Sequence, residues 1–195
     1  MKPPRILMFA GSGRRDSINK KLASSAARKA TALGAEVELL DLADFPMPLY
    51  DGDLEAEAFP ENVRIVRGKM IAADGLFIAS PEYNGSLTPL LKNTIDWVSR
   101  PQEGVAEGLI AYQGKVAALA ATSPGGLGGM RGLVHVRAIL SGLGVHVVPG
   151  DLAVGSGFQA FREDGGLVDD GLDLRLQDLV DTLLRASTAL RVSSS

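Results

Sequence analysis

Short apolar runs alternate with helical patterns along the whole of this 195-residue chain. The runs are continuous, as in Leu76–Ala79 and Val116–Ala120, and do not alternate with polar residues. A strand that is apolar on both faces is typical of a parallel sheet covered by helices on both sides. The predicted strands are Arg5–Ala10, Glu36–Asp41, Gly75–Ala79, Lys115–Ala121 and Gly144–Val148. The predicted helices lie near Ser17–Leu33, Pro60–Ala73, Pro89–Arg100, Gly129–Gly142 and Leu172–Arg191.

These repeated β-α units predict one α/β domain over residues 1–195, with 192–195 as a frayed tail. Right-handed crossovers give a doubly wound parallel sheet of five strands, in the order 2-1-3-4-5, with helices on both faces. In such a sheet, ligands bind beyond the carboxyl ends of the strands where the strand order reverses, here between strands 1 and 3 with strand 4 adjacent. The loops at that point are the first loop (Gly11–Asn19), the second loop (Ser80–Thr88) and the third loop (Thr122–Met130).

The segment after strand 2, Phe45–Phe59, is acidic and contains prolines. We interpret it as an exposed arm that covers either the site or a partner subunit. The sequence leaves both possibilities open, and it does not assign a role to the acidic residues 51–57.

The first loop predicts a phosphate site. Because it ends a strand and opens a helix, the unpaired N–H groups of the first helical turn and the helix dipole favour an anion there. Ser12, Ser17 and Asn19 add polar side chains. Arg14 or Arg15 adds a guanidinium, which can bind phosphate through two parallel hydrogen bonds. The alternative is an ordinary turn with arginines that face solvent.

Two familiar phosphate motifs are absent from the first loop. The Walker motif requires a lysine that this loop lacks. The glycine pattern of dinucleotide-binding folds is half present, as Gly11 and Gly13, but Asp16 stands at the third glycine position. Asp16 is expected to face solvent or to cap the helix. The remaining candidate ligand is a mononucleotide phosphate.

The second and third loops predict a surface for a flat ligand. In the second loop, Pro81 fixes the backbone and Asn84-Gly85 signals a tight turn, so main-chain groups are held in a fixed array beside the Tyr83 ring. Such an array can bind the edge of a planar heterocycle, or the loop can be merely a rigid turn. The third loop contains four glycines in five positions, which is typical of close approach to a bulky group or of simple flexibility.

The composition excludes several classes of function. The net charge of −3 and the lack of a basic run exclude a nucleic-acid partner. The absence of cysteine excludes thiolate catalysis and cysteine-bound metal, and two histidines are too few for a histidine-rich metal site. Neither a signal peptide nor a membrane span is expected, so we expect a soluble cytoplasmic protein. His135, His146 and Trp97 are expected to be surface or structural residues.

Together, the three loops resemble those of the NADPH-dependent FMN reductase family, which includes flavin, quinone, chromate and azo-dye reductases with a flavodoxin-like fold. The resemblance covers almost the whole chain. It rests on Gly-Ser-x-Arg-x-x-Ser-x-Asn from Gly11, Pro-Glu-Tyr-Asn-Gly-Ser from Pro81, and Ser-x-Gly-Gly from Ser123. The second motif, which continues through Leu90–Trp97, is the most specific of the three.

The resemblance implies bound FMN and assigns thirteen residues to its site. Its phosphate is expected on Ser12, Arg14, Ser17 and Asn19, and Ile18 belongs to the same site. The flavin ring and ribityl chain are expected to contact Pro81, Glu82, Tyr83, Asn84 and Gly85, largely through the backbone. Ser123, Gly125 and Gly126 are expected to close the far side of the flavin.

The resemblance also implies an enzyme, an NAD(P)H-dependent FMN or quinone reductase. Hydride is expected to pass from nicotinamide to FMN and then to a flavin, quinone, chromate or azo acceptor, by a ping-pong mechanism. No catalytic side chain is expected, because the cofactor carries the chemistry. The alternatives are a flavodoxin-type electron carrier without nicotinamide turnover and a phosphate-binding regulatory domain.

Two further properties follow from the resemblance. Family relatives are commonly oligomers, so a homodimer or homotetramer is expected. The choice between NADPH and NADH stays open, because the candidates for a 2′-phosphate contact are Arg14, Arg15, Arg100 and Arg131.

Overall fold

The computed structural model describes residues 2–101 and 108–191. Its strands form one parallel sheet in the order β2-β1-β3-β4-β5, which confirms the predicted topology. The strands are β1 (Arg5–Ala10), β2 (Glu36–Leu40), β3 (Gly75–Ala79), β4 (Val116–Thr122), β5 (His146–Val147) and β6 (Leu152–Val154). The tail at 192–195, predicted to be frayed, lies outside the described residues.

The helices are α1 (Ile18–Ala32), α2 (Gly52–Glu57), α3 (Glu61–Ala72), α4 (Pro89–Val98), α5 (Met130–Gly142) and α6 (Asp170–Ala189). Short 3-10 turns occupy Leu42–Asp44 and Gly108–Ala111. Four of these helices begin at a polar cap, since the side chains of Ser17, Asp51, Thr88 and Asp169 each accept a hydrogen bond from a backbone N–H of the first turn. None of the helices in the described part of the chain is both long and apolar enough to cross a membrane.

The apolar side chains of the strands divide between two cores, one on each face of the sheet. In β1, Ile6 and Met8 pack with residues of α1 and α6. Leu7 and Phe9 pack on the opposite face with residues of α3, α4 and α5. The continuous apolar runs of the sequence are therefore explained by burial on both faces.

The predicted fifth strand, Gly144–Val148, is present as the shorter β5, and a further short strand, β6, follows it at the same edge of the sheet. β5 pairs with the beginning of β4, and β6 pairs with its end. Pro149 has no N–H to donate, and Gly150 has a positive φ of 90°, so the chain leaves the sheet between the two strands. β6 was not predicted, and it carries Gly155–Phe158 to the carboxyl edge of the sheet.

The arm at Phe45–Phe59 is exposed and contains α2, which has no buried residue. It is attached to α4, because Asn93 Nδ2 and Trp97 Nε1 both donate to the carbonyl of Pro48 at 2.8 Å. The Tyr50 ring meets the Trp97 ring edge to face, with centroids 5.0 Å apart. Trp97 is fully buried, so it is a core residue.

Candidate functional site

A cleft of about 130 Å³ opens at the carboxyl edge of the sheet, at the predicted reversal of strand order. Its walls come from the first, second and third loops and from the segment after β6. The residues that line it are Ser12, Arg14, Ser17, Ile18, Asn19, Pro81, Glu82, Tyr83, Thr122, Ser123, Pro124 and Phe158. None of the described residues of the arm is among them.

The first loop enters the cleft beneath α4. A Cβ on Gly11 would lie 2.9 Å from the Cβ of Leu91, so only glycine lets α4 pack this closely. The hydroxyl of Thr88 donates to the carbonyl of Gly11 at 2.6 Å, which fixes the start of the loop. Ser12 is buried, and its hydroxyl accepts from the backbone N–H of Arg14 at 3.3 Å. The loop therefore has a fixed path at the cleft.

The first turn of α1 faces the same space. Ser17 caps the helix through its hydroxyl, which accepts from the N–H of Lys20 at 3.4 Å. Asp16 is exposed, as expected, but the cap is Ser17. The N–H groups of the first helical residues have no partner within the helix and carry its partial positive charge. This end of the cleft therefore favours an anion.

Asn19 connects α1 to the end of β4. Its side-chain nitrogen donates to the carbonyl of Thr122 at 2.8 Å, and its side-chain oxygen accepts from the Thr122 N–H at 3.0 Å. Both side-chain atoms are thus engaged by the protein, and the residue is 2% exposed. Asn19 lines the cleft as predicted, and this structure shows it holding two walls of the cleft together.

The second loop is a tight two-residue turn. Tyr83 and Ser86 exchange backbone hydrogen bonds of 2.9 and 3.0 Å. Asn84 and Gly85 both have positive φ, at 51° and 78°, as a type I′ turn requires. The hydroxyl of Ser86 is also hydrogen bonded to Nδ1 of His135, on α5, at 2.8 Å. The turn predicted from Asn84-Gly85 is therefore present and is fixed from behind.

Glu82 connects the second loop to the beginning of α5. Its carboxylate accepts from the backbone N–H of Arg131 at 3.0 Å and of Gly132 at 3.2 Å. The Arg131 guanidinium also donates to it through Nε, at 2.8 Å, and through a terminal nitrogen. Burial raises the pKa of the Glu82 carboxyl, but these hydrogen bonds outweigh burial and hold that pKa below its ordinary value of 4.5.

The glycines of the third loop form two pairs. A Cβ on Gly128 would lie 2.6 Å from the backbone nitrogen of Val154, and both Gly128 and Gly129 have positive φ. These two glycines are required by packing within the protein. A Cβ on Gly125 or Gly126 would meet nothing within 4 Å. The first pair of glycines therefore leaves open space above the loop.

The segment Gly155–Phe158 adds a fourth wall that the sequence analysis missed. The N–H of Gly157 donates to the carbonyl of Ser123 at 2.9 Å, which holds this segment against the third loop. Ser156 has a φ of 50° and is, with Asn84, one of two non-glycine residues with positive φ among the residues described. Strained backbone of this kind clusters at functional sites. Phe158 is 59% exposed and lines the cleft.

Nine of the thirteen predicted site residues line the cleft, and four lie beside it. The four are Asn84, Gly85, Gly125 and Gly126. Thr122, Pro124 and Phe158 were not assigned. Thr122 is the last residue of β4 and Pro124 lies two residues later, so both belong to the third loop. The sequence did contain a signal for the fourth wall. It is Gly155-Ser-Gly-Phe158, which directly follows the apolar run Leu152–Val154.

The charges in the cleft favour an anionic ligand at one end. Of the charged lining residues, Glu82 is neutralised by Arg131, whereas Arg14 is exposed and forms no ion pair with any described residue. Residues 2–101 and 108–191 contain no group of three or more His, Asp or Glu that could hold a metal ion. The site thus presents one free guanidinium, a helix start and rigid main-chain turns.

The chain is similar to known oxidoreductases over almost its whole length. It is 36% identical over 186 residues to an NAD(P)H-dependent FMN reductase of Pseudomonas aeruginosa, covering 93% of this chain and 92% of that protein. It is 34% identical over 185 residues to an NADPH:quinone oxidoreductase of Arabidopsis thaliana, covering 92% and 89%. The structure of FerB, an NAD(P)H:(acceptor) oxidoreductase flavoenzyme from Paracoccus denitrificans, matches with a TM-score of 0.81 at 29% identity, covering 95% and 98%.

The FerB structure shares the fold of this chain over almost the whole of both chains. The model of one family matches residues 4–159, which include every residue that lines the cleft. The chain belongs to the NADPH-dependent FMN reductase family.

Proposed function

We propose that this protein is an NAD(P)H-dependent FMN and quinone reductase with FMN held in the cleft described above. The observation that carries the proposal is the pairing, in one cleft, of an anion-binding helix start with a rigid, open surface of main-chain groups. The names of its relatives support the same activity, since they are FMN reductases and quinone reductases.

The first loop fits the phosphate of FMN. Arg14 supplies a free guanidinium, and the buried hydroxyls of Ser12 and Ser17 lie at the same end of the cleft. A phosphomonoester requires several donors and gains most from a forked cation. Ile18 and Asn19 contribute the first N–H groups of α1. The side chain of Asn19 positions the wall, because Thr122 already occupies both of its polar atoms.

The second and third loops fit the flavin ring. Glu82 and Ser86 are bonded to α5 through their side chains, so the second loop offers mainly its backbone and the exposed Tyr83 ring to a ligand. Across the cleft, the N–H groups of Gly125 and Gly126 donate to no described protein atom. Open space above these glycines lets the backbone approach a flat ring.

The chain's own groups bind and orient, and the cofactor supplies the reactive atoms. When bound, FMN would supply the redox chemistry, a two-electron transfer from NAD(P)H to the acceptor. The free N–H groups of Gly125 and Gly126 would stabilise negative charge on the reduced cofactor. With a quinone as acceptor, the overall reaction would consume NAD(P)H and one proton from solvent and would yield NAD(P)⁺ and the hydroquinone. One open face of the cleft serves NAD(P)H and the acceptor in turn, which is a ping-pong order.

Anaerobic addition of NADPH to the FMN-loaded protein tests this proposal directly. Rapid loss of the oxidised-flavin absorbance is expected. Bound flavin that NADPH does not bleach would instead indicate an electron carrier of the flavodoxin type. Failure to bind FMN at all would leave a phosphate-binding regulatory domain. Parallel lines in double-reciprocal plots of rate against NAD(P)H at several quinone concentrations are expected for a ping-pong order.

The identity of the electron acceptor and the oligomeric state are proposals as well. Quinones are the first acceptors to test, and free flavin, chromate and azo dyes follow. A homodimer or homotetramer is supported by four exposed apolar side chains on the second loop, the third loop and α5, since exposed apolar surface often marks a protein–protein contact. They are Tyr83, Leu127, Met130 and Val134, each more than half exposed. A monomeric mass in solution at working concentration would contradict the oligomer. The cytoplasmic location stays a prediction.

A further inference from the structure

A second and larger cavity, of about 720 Å³, lies beside α1 and shares only Ser17 with the flavin cleft. Its walls come from α1, the end of β2 and the segment 161–165. The residues that line it are Ala10, Arg15, Asp16, Ser17, Lys20, Lys21, Ala23, Ser24, Arg28, Leu39, Leu40, Asp41, Phe161, Arg162, Glu163 and Gly165. Its volume is typical of a small-molecule site. The reductase reaction as proposed above does not use this cavity.

Cationic side chains outnumber acidic ones around this cavity, by five to three. Two of the cations are already paired, Lys20 with Asp41 and Arg162 with a residue outside the cavity. Arg15 and Lys21 are exposed and form no ion pair with any described residue. Arg28 is also without an ion pair to a described residue, as are the acidic Asp16 and Glu163, so the unpaired charge of the lining is positive by one and favours an anion.

Arg28 is fixed at the wall of the cavity. The hydroxyl of Ser24, one turn earlier on the same face of α1, accepts from its guanidinium at 3.2 Å. A Cβ on Gly165 would lie 2.1 Å from a terminal nitrogen of Arg28, so the segment passes directly over the guanidinium. Gly165 has a φ of 83°, a conformation that favours glycine. The segment 161–165 and the Arg28 side chain thus fit each other.

Apolar side chains form the rest of the wall. Phe161 is half-buried, and Leu39 is 52% exposed at the end of β2, an unusual position for leucine without a partner. Ala10 and Ala23 are buried small residues that leave room beside them. A ligand for this cavity therefore combines an anionic group with a flat or bulky apolar part.

We propose that this cavity is a second binding site, for a phosphorylated nucleoside. Lys21 and Arg28 bind the phosphate, and the base packs against Phe161 and Leu39. The ligand is either a free nucleotide or the adenosine 2′-phosphate end of NADPH, which share this chemistry. The cavity shares only Ser17 with the flavin cleft, so binding of a free nucleotide is independent of the proposed activity, whereas binding of the NADPH end rests on it.

Calorimetric titration of the FMN-loaded protein with adenosine 2′,5′-bisphosphate tests the site. The test variant is Lys21→Glu with Arg28→Gln. The matched control is Lys92→Glu with Arg185→Gln, which changes the net charge equally at exposed positions on α4 and α6. We expect the test variant to bind the nucleotide at least tenfold more weakly than the native protein, and the control to bind within twofold of it. FMN affinity and thermal melting should be unchanged in both.

Two results would overturn the site. One is no binding by the native protein at millimolar nucleotide, and the other is an equal loss of binding in the test and control variants. The KM values for NADPH and NADH then distinguish the two sources of the nucleotide. If the test variant raises the KM for NADPH about tenfold and that for NADH much less, the site holds the adenosine end of the cofactor. If neither KM changes, the site holds a free nucleotide. The calorimetric test does not require oxidation of NADPH. It therefore remains valid even if the protein lacks the proposed reductase activity.

Discussion

The first and second loops lie side by side at the same edge of the sheet, but they use their side chains in opposite ways. In the second loop, the polar side-chain atoms of Glu82 and Ser86 are already bonded to α5. In the first loop, Arg14 makes no ion pair with a described residue and is exposed at the cleft. The second loop is therefore rigid and presents backbone, whereas the first loop presents one free side chain, the Arg14 guanidinium.

The two loops suit the two parts of FMN, its phosphate and its flat ring. A phosphate is small, charged and bound well by side-chain cations and a helix start. A flat ring requires a surface that does not move and that offers donors at fixed positions. Changes to the α5-bonded side chains of the second loop should therefore act through the stability of the protein. A change at Arg14 in the first loop should act on the affinity for FMN alone.

The largest expected effect is on stability, from Glu82→Ala. This change removes the acceptor of the Arg131 and Gly132 hydrogen bonds at the beginning of α5, and leaves both backbone donors and the Arg131 guanidinium without that partner. The free energy of unfolding should fall by about 3 kcal/mol in urea denaturation of the FMN-free protein. The control is Asp169→Ala, which removes one exposed cap of α6 and should lower the free energy of unfolding by about 1 kcal/mol. Equal losses in the two variants would show that Glu82 is only an ordinary helix cap.

Arg14→Ala should act on the ligand and not on the fold. A charge-assisted contact to phosphate contributes about 1.5–3 kcal/mol, so FMN binding should weaken roughly tenfold to a hundredfold or more. Riboflavin, which lacks the phosphate, should bind the variant and the native protein equally. Fluorescence titration of both flavins measures this difference.

Arg15→Ala is the matched control for Arg14, because Arg15 lies next to it but lines the other cavity. It should leave FMN affinity within about twofold of the native value. A larger loss with Arg15→Ala than with Arg14→Ala would move the phosphate contact to Arg15.

Glu82→Gln should give a smaller effect that depends on pH. The pKa of Glu82 is depressed in the folded protein, so its charge stabilises the fold above the ordinary value of 4.5. That contribution is lost as pH falls through the depressed pKa. The native protein should exceed Glu82→Gln in free energy of unfolding by about 1.5 kcal/mol at pH 7. The difference should shrink below pH 4.5, as measured by urea denaturation across pH. A constant difference from pH 7 to pH 3 would contradict this role for the charge.

The sequence predicted the parts of this site that depend on local signals. Asn84-Gly85 specified the turn of the second loop, and the continuous apolar runs of β1, β3 and β4 specified a parallel sheet. The order of the strands then placed three loops together. The start of α1 was predicted to within one residue, although the cap is Ser17 and not Asp16.

The parts that the sequence did not predict depend on contacts between distant segments. Glu82 and Arg131 are 49 positions apart, so the direction of the carboxylate could not be inferred from either residue. β6 has only three residues, too few for a periodic pattern, and its partner is the end of β4. Phe158 was missed for that reason. The cavity beside α1 likewise exists only because β2 and the segment 161–165 meet there.

The smallest expected effect distinguishes the two pairs of glycines in the third loop. Gly125→Ala places a methyl group in space that is open in the protein but that FMN is proposed to approach. It should leave the free energy of unfolding within about 0.5 kcal/mol of the native value. FMN binding should weaken by a few-fold, roughly 1 kcal/mol or less, through loss of close contact with the ring. Gly142→Ala, at the end of α5, is the control, since its Cβ also meets nothing within 4 Å. If both variants bind FMN like the native protein, the third loop lies farther from the flavin than the second. The ring would then rest on the second loop alone.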